Sequence, residues 1–523
     1  MKRVIIIGAG LAGLSAAMEL AKQNIGSELI SPLPSERAQS VLAEGGINAA
    51  LDLMGEGDRP AEHCADTLRG GCDLADPLAV QSLTAHAPEL VKSLSALGVP
   101  FQMEGERLVQ RNFGGQKKKR TAYAKSSTGK AIMTALIDEA RKYEAAGLIR
   151  RWPHHTLAEL CTEDGNCTGA VICDNYTDSA LRFSGPVILA CGGLNGLFPG
   201  RTTGTTQNTG DAAALAFSRG AAFGNLEMLQ YHPTTVAISG KRLLVSEAAR
   251  GEGGRLFTVE NGHRRYFMEE KYPELGNLMP RDVISREMAL LDGQVWLDMT
   301  GLSRAEWTKK LPDLRSELKH YLNLDPAKEP VPVSPGIHFF MGGILVDRTH
   351  AASLKKLFAA GECACQYHGA NRLGGNSLLG AIYGGMAAAR SAALWASEHR
   401  EPEQLGPVTP QPETPGFQAK LGDILYGGLA ILRDEATLTG ALSRLEELSS
   451  ATLTEAERRR LELGRAMLLS ALERRESRGA HTRTDFPERN DGQFRKTTVA
   501  AIRNGAVQIS FIPVPEGGEA GAS

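Results

Sequence analysis

The stretch VIIIGAGLAG, residues 4–13, constrains this chain more than any other. Val4, Ile5, Ile6 and Ile7 form an apolar, β-branched run, the pattern of a strand buried on both faces. Gly8, Gly10 and Gly13 follow at the spacing G-x-G-x-x-G, and residues 14–20 read as a helix. Gly8 permits the tight turn, Gly10 lets backbone approach a pyrophosphate, and Gly13 lets helix and strand pack closely. The helix N-terminus then offers N–H groups and partial positive charge to phosphates. Strand, glycine turn and helix together predict a dinucleotide site.

With 523 residues, 42% of them hydrophobic, the chain is long enough for three or four domains with real cores. The balance of 58 Lys and Arg against 60 Asp and Glu argues against nucleic acid or an anionic membrane as partner. No run of about 18 apolar residues reads as a spanning helix. Met1-Lys2-Arg3 leads straight into the first strand, so a cytoplasmic location is expected. Eight scattered cysteines form no C-x-x-C pair, which predicts reduced structural thiols and no metal centre.

The second strand, residues 27–31, ends in Ser31 where a generic dinucleotide fold has an acid. Gly45 and Gly46 interrupt a helix-forming run, implying backbone laid against something flat. Residues 76–97 read as an amphipathic helix with Asp76 as N-cap and Pro88 in its middle. The basic run 117–120 reads as a solvated loop face. Residues 157–181 suggest an antiparallel ribbon turning at Gly165-Asn166. Residues 187–193 give a second apolar strand ending in glycines, and Thr209-Gly210-Asp211 opens a helix. From 228 to 334 charge and proline rise, as in an inserted domain; the glycine-rich style then returns. Residues 413–476 are rich in helix formers, and 516–523 read as disordered.

Twelve motifs, among them AEGGI (43–47), FGG (113–115), TGDAAALA (209–216), QYHPT (230–234), SEAARGEGG (246–254), RDVISR (281–286), HFFMGGI (338–344), HGANRLGGNSLL (368–379) and ESRGAH (476–481), stand in the order of one family. The chain resembles the flavoprotein subunits of fumarate reductase and succinate dehydrogenase, with L-aspartate oxidase as a cousin. The resemblance implies an α/β architecture: a Rossmann-like FAD-binding domain (1–227 and 335–412), an inserted α+β capping domain (228–334) and a C-terminal helical domain (413–490), with a tail at 491–523. Relatives end the second strand in serine, which fits Ser31.

By the same resemblance, FAD is held by Gly8, Ala9, Gly10, Gly13, Ser31, Ala43, Glu44, Gly45, Gly46, Asp211, Glu362, Ser377 and Leu378. Arg372 and His338 would hold one carboxylate of a dicarboxylate; His232 and Ser246 would hold the other, with Phe113 and Gly46 beside it. Arg281 would donate the proton, resupplied through Glu247 and Arg250. A guanidinium has a pKa above about 12, so it serves as an acid only through such a relay. Respiratory members bond flavin to a histidine where this chain has Gln39, which implies non-covalent FAD and favours fumarate reduction over succinate oxidation.

L-aspartate oxidase uses the same frame, but its typical N-R-M-A-S-N-S-L-L-E differs from NRLGGNSLLG here. A scaffold subunit that kept FAD but lost turnover, and a reductase of another unsaturated acid, are further alternatives. With no cluster ligands in the chain, electrons are expected from a separate iron–sulfur subunit, with the membrane reached only through partners. The apolar segment 508–513 reads as a strand of its own domain or as a docking edge.

Overall fold

The computed structural model describes residues 1–516 apart from 126, 178, 399, 409 and 410. The tail expected beyond 516 lies outside the described residues.

A parallel sheet carries strands Leu357–Ala359, Val187–Leu189, Lys2–Ile7, Gly26–Ser31 and Ile149–Pro153 in that spatial order. The first strand is therefore central, and chain order reverses beside it, where doubly wound sheets bind ligands. Its side chains alternate between two cores. Ile5 and Ile7 join Phe183 and Leu215, while Val4 and Ile6 join Leu14 and Ile132. Burial on both faces is what the unbroken apolar run implied.

Helix Leu11–Lys22 follows the glycine turn. A Cβ on Gly13 would run into the Gly8 carbonyl, so only glycine allows this approach. Helix Asn376–Ala393 crosses helix Leu11–Lys22 just as closely: a Cβ on Gly385 would strike the Ala12 carbonyl.

Helix Pro77–Ala96 starts at Asp76, whose carboxylate accepts from the Leu78 and Ala79 amides, and Pro88 lies within it. Strands His155–Glu163 and Asn166–Asp174 form the expected ribbon. The run 37–50 makes a 3₁₀ turn, Gln39–Leu42, and a short strand, Ile47–Asn48, with Gly45 and Gly46 between them.

A second sheet is built on Leu229–Ile238 paired antiparallel with Val331–Phe340. Helices Glu247–Gly251, Arg281–Ala289 and Pro312–Leu322 fall between these strands in sequence. Their own core gathers Val245, Phe267, Ile284, Leu297 and Leu318. Helices Phe417–Gly428, Glu435–Ser449 and Glu455–Glu473 pack on one another, the last two opened by capping boxes. Residues 496–513 form a hairpin whose first strand pairs with Phe223–Gly224, so the apolar segment 508–513 is a strand within its own sheet.

The basic run needs correction. Lys117 and Lys119 are exposed, but Arg120 is fully buried. Its guanidinium meets Asp58 at 2.9 Å and Asp66 at 2.8 Å. Carboxylates distant in sequence, not solvent, balance its charge.

Candidate active site

One cavity of about 470 Å³ lies at the carboxyl ends of the parallel strands and extends under the second sheet. Gly8, Ala9, Gly10, Ser31, Ala43, Glu44, Gly45, Gly46, Asp211, Glu362, Ser377 and Leu378 line it, and so do Phe113, His232, Ser246, Glu247, Arg281, His338 and Arg372. Two expected residues lie off its wall. Gly13 packs behind the turn, and Arg250 sits behind Glu247.

The dinucleotide end is shaped by absent side chains. Gly8 has φ +115°, and a Cβ there would enter the Ala190 carbonyl. Gly46 has φ +133°, with the Ala122 carbonyl 2.6 Å from where its Cβ would stand. The Phe113 ring comes within 3.1 Å of the corresponding point on Gly45. Backbone thus forms a flat wall here, which a planar ring system fits. Glu362 accepts from the Phe340 amide at 3.1 Å, and burial raises its carboxyl to about 7. Asp211 pairs with Arg460 at 3.2 Å, and the Ser31 hydroxyl donates to the Leu33 carbonyl. Gln39 accepts from the Thr205 amide at 2.6 Å through Oε1.

At the other end, Arg281 opens helix Arg281–Ala289 and Ser246 immediately precedes helix Glu247–Gly251. Arg281 donates to Glu247 at 2.7 and 2.9 Å. Glu247 Oε1 accepts from the Gly114 amide at 3.1 Å, and Arg250 Nη2 is 3.7 Å from it. Burial alone would raise the Glu247 carboxyl, but Arg281 and Arg250 outweigh it and hold it below the usual range. Burial lowers Arg250 to about 10. Arg372 falls to about 9 through burial and the neighbouring Arg281. Its guanidinium lies 4.3 Å over the Phe339 ring, and its buried Nε has no hydrogen-bond partner among the described residues. Guanidiniums outnumber ionised carboxylates around this end, so the site attracts anions.

His232 and His338 meet edge to face, ring centres 5.2 Å apart. Burial, then Arg281, pushes both well below the ordinary imidazole range. This favours the neutral form of both rings in the protein alone. Nδ1 of His232 faces the Thr234 carbonyl at 3.2 Å, and Nδ1 of His338 faces the Thr203 hydroxyl at 2.8 Å.

Glu44 belongs to this region too. Burial, then Glu317 and Asp313 on helix Pro312–Leu322, raises its carboxyl to about 8, against the influence of Arg111 and a hydrogen bond with Ser246. Arg111 donates to the Gly45 carbonyl and lies 4.2 Å over the Tyr123 ring.

Sequence reasoning assigned no role to Thr203, Arg111, Gln230 or Asn371. Gln230 and Asn371 sit inside quoted motifs, next to residues that drew attention for their charge. Their amides show their purpose only once distant partners are placed.

A family model described as FAD binding domain matches residues 3–378, and one described as fumarate reductase flavoprotein C-term matches 457–516. A succinate dehydrogenase flavoprotein subunit of Bacillus subtilis is 35% identical, the alignment covering 95% of this chain and 93% of that one. A fumarate reductase flavoprotein subunit of Mycobacterium tuberculosis is 33% identical over 98% of this chain and 97% of its own. Among solved structures, the FrdA chain of an E. coli quinol fumarate reductase variant superposes with a TM-score of 0.86 at 26% identity, covering 100% of this chain and 99% of that one. Sdh1 of Mycobacterium smegmatis gives 0.81 at 31% identity, covering 99% and 95%.

Proposed function

The chain belongs to the family of succinate dehydrogenase and fumarate reductase flavoprotein subunits and is an FAD-dependent oxidoreductase; from that premise we propose that it reduces fumarate to succinate, with Arg281 as proton donor. The supporting observation is the anion-seeking end of the cavity, where Arg281 and Arg372 face the paired histidines.

FAD, when bound, supplies the hydride from its N5. Every other part of the reaction falls to side chains. Arg372 and His338, which both line the cavity, bind one carboxylate. His232 and Ser246 bind the other, and Phe113 and Gly46 pack beside the carbon chain. Arg281 delivers a proton to the alkene carbon that does not receive hydride. Glu247, in contact with both Arg281 and Arg250, returns that proton from the Arg250 side. Backbone and side chains of residues 8–13, 31, 43–46, 211, 362, 377 and 378 form the FAD site.

In this reading FAD is held without a covalent bond, because Gln39 has no nucleophilic ring nitrogen and its amide oxygen is engaged by Thr205. Acid precipitation should release all yellow colour; flavin left on the denatured chain refutes this. An unbonded flavin favours the reducing direction. In the same reading the chain divides into an FAD-binding domain, 1–227 and 335–412, a cap, 228–334, a helical domain, 413–490, and a tail, 491–523. Electrons come from an iron–sulfur partner subunit, and the chain works in the cytoplasm, at most peripheral to a membrane. No helix among the described residues is long and apolar enough to cross one.

The test is oxidation of reduced viologen by the purified protein on addition of fumarate. No fumarate-dependent oxidation, or hydrogen peroxide formed from aspartate, would overturn the proposal.

A further inference from the structure

Four polar side chains close a ring that begins and ends on consecutive residues of one helix. Arg281 Nη1 donates to Gln230 Oε1 at 3.1 Å. Gln230 Nε2 donates to Asn371 Oδ1 at 2.7 Å. Asn371 Nδ2 donates to Asp282 Oδ1 at 3.0 Å. Gln230 Nε2 also donates to the backbone carbonyl of Arg372 at 2.8 Å. Gln230 and Asn371 are buried.

The direction of each bond is dictated at both ends. A guanidinium only donates and a carboxylate only accepts. Gln230 must therefore turn its oxygen to Arg281 and its nitrogen to Asn371. Asn371 must turn its oxygen to Gln230 and its nitrogen to Asp282. Flipping either amide would bring donors or acceptors face to face in buried surroundings, where unmade hydrogen bonds are costly. The ring has one arrangement, and that arrangement ties the Arg281 guanidinium to the loop carrying Arg372.

We propose that Asn371 is a positioning residue for fumarate reduction: by closing the ring between Gln230 and Asp282, it holds Arg281 in register with the carboxylate clamp at Arg372. The inference rests on the reading of Arg281 as proton donor. Asn371 itself supplies no proton and touches no reacting atom. Catalytic geometry tolerates little misplacement, and about 1 Å can cost 10²-fold. Loosening the ring should therefore slow the proton step while the clamp, still held by Gln230, keeps its grip.

The test uses the FAD-loaded protein with reduced viologen as donor. Asn371→Asp keeps the acceptor for Gln230 but sets a carboxylate against Asp282. It should lower kcat at least about 30-fold and leave KM for fumarate within about threefold. Adding Asp282→Asn restores a donor–acceptor pair in the opposite sense, and the double variant should regain at least about tenfold. FAD content verifies folding, and succinate titration of the flavin absorbance, which does not depend on turnover, should give the same Kd for all three proteins. An Asn371→Asp variant as fast as the parent, a double variant no faster than the single one, or a Kd that weakens in step with kcat would overturn the proposal. A parent that turns over no fumarate overturns the functional reading and this inference together; an active parent with an equally active variant overturns the positioning role alone.

Discussion

Arg281 places Nε and Nη2 on a single oxygen of Glu247, Oε2, at 2.9 and 2.7 Å. With Nη1 given to Gln230, three of its five N–H groups are committed and two remain. A charged donor held this firmly suits a proton transfer of fixed geometry. Arg281→Ala should lower kcat for fumarate by about 10²–10⁴-fold, the usual loss for a general acid, with FAD content unchanged. Turnover equal to the parent's would remove Arg281 from the reaction.

Binding of a dicarboxylate should take up protons. His232 turns Nδ1 to the Thr234 carbonyl, so in the neutral ring the hydrogen sits there and Nε2 has none to offer. To donate from Nε2, the ring must gain a proton, which a bound dianion favours. Affinity should then fall as pH rises through and above the ordinary imidazole range, by up to about tenfold per pH unit for each proton. Calorimetry of succinate binding in two buffers of different ionisation enthalpy measures the uptake. Heats that do not depend on the buffer would contradict it.

Glu44 gives stability a pH dependence of definite sign. Its carboxyl rises from 4.5 to about 8 in the fold, because burial and then Glu317 and Asp313 disfavour the charge. The folded chain keeps a proton that the unfolded chain releases, so this group lowers stability progressively between about pH 4.5 and pH 8. Glu44→Gln, which cannot ionise, should show a Tm advantage over the parent that grows across that window. An advantage that is flat or shrinking with pH would contradict the assignment.

Arg120, buried between Asp58 and Asp66, should be among the least replaceable structural residues. Arg120→Met leaves two carboxylates facing each other without a cation, and breaking such a buried pair costs about 3–5 kcal/mol. Thermal unfolding should shift down markedly at neutral pH. An unchanged Tm would mean that the pair contributes nothing net.

Legibility in the sequence followed the range of the interactions. The glycine turn could be read because its constraint is local: Gly8 and Gly13 are five residues apart, and the steric reason lies between them. Asp76 as a helix cap was equally local. Arg120 was misread because its partners lie 62 and 54 positions earlier, and a run of lysines beside it suggested water. Asn371 passed unnoticed because Asp282 is 89 positions away and an amide carries no charge to draw attention. The histidines were found, but the downward pull on their pKa comes from burial and Arg281, which no motif states.

The parallel sheet also sets a timetable for biosynthesis. Its central strand is made long before the outermost strand beyond Val187–Leu189, which ends at Ala359, and the cavity wall is completed only by residues such as Ser377 and Ala381. On the ribosome, the nascent N-terminal half carries an uncovered sheet edge until those segments emerge, a state prone to wrong pairing. Nascent chains stalled before residue 357 should therefore engage chaperones and capture no flavin, whatever the supply of cofactor.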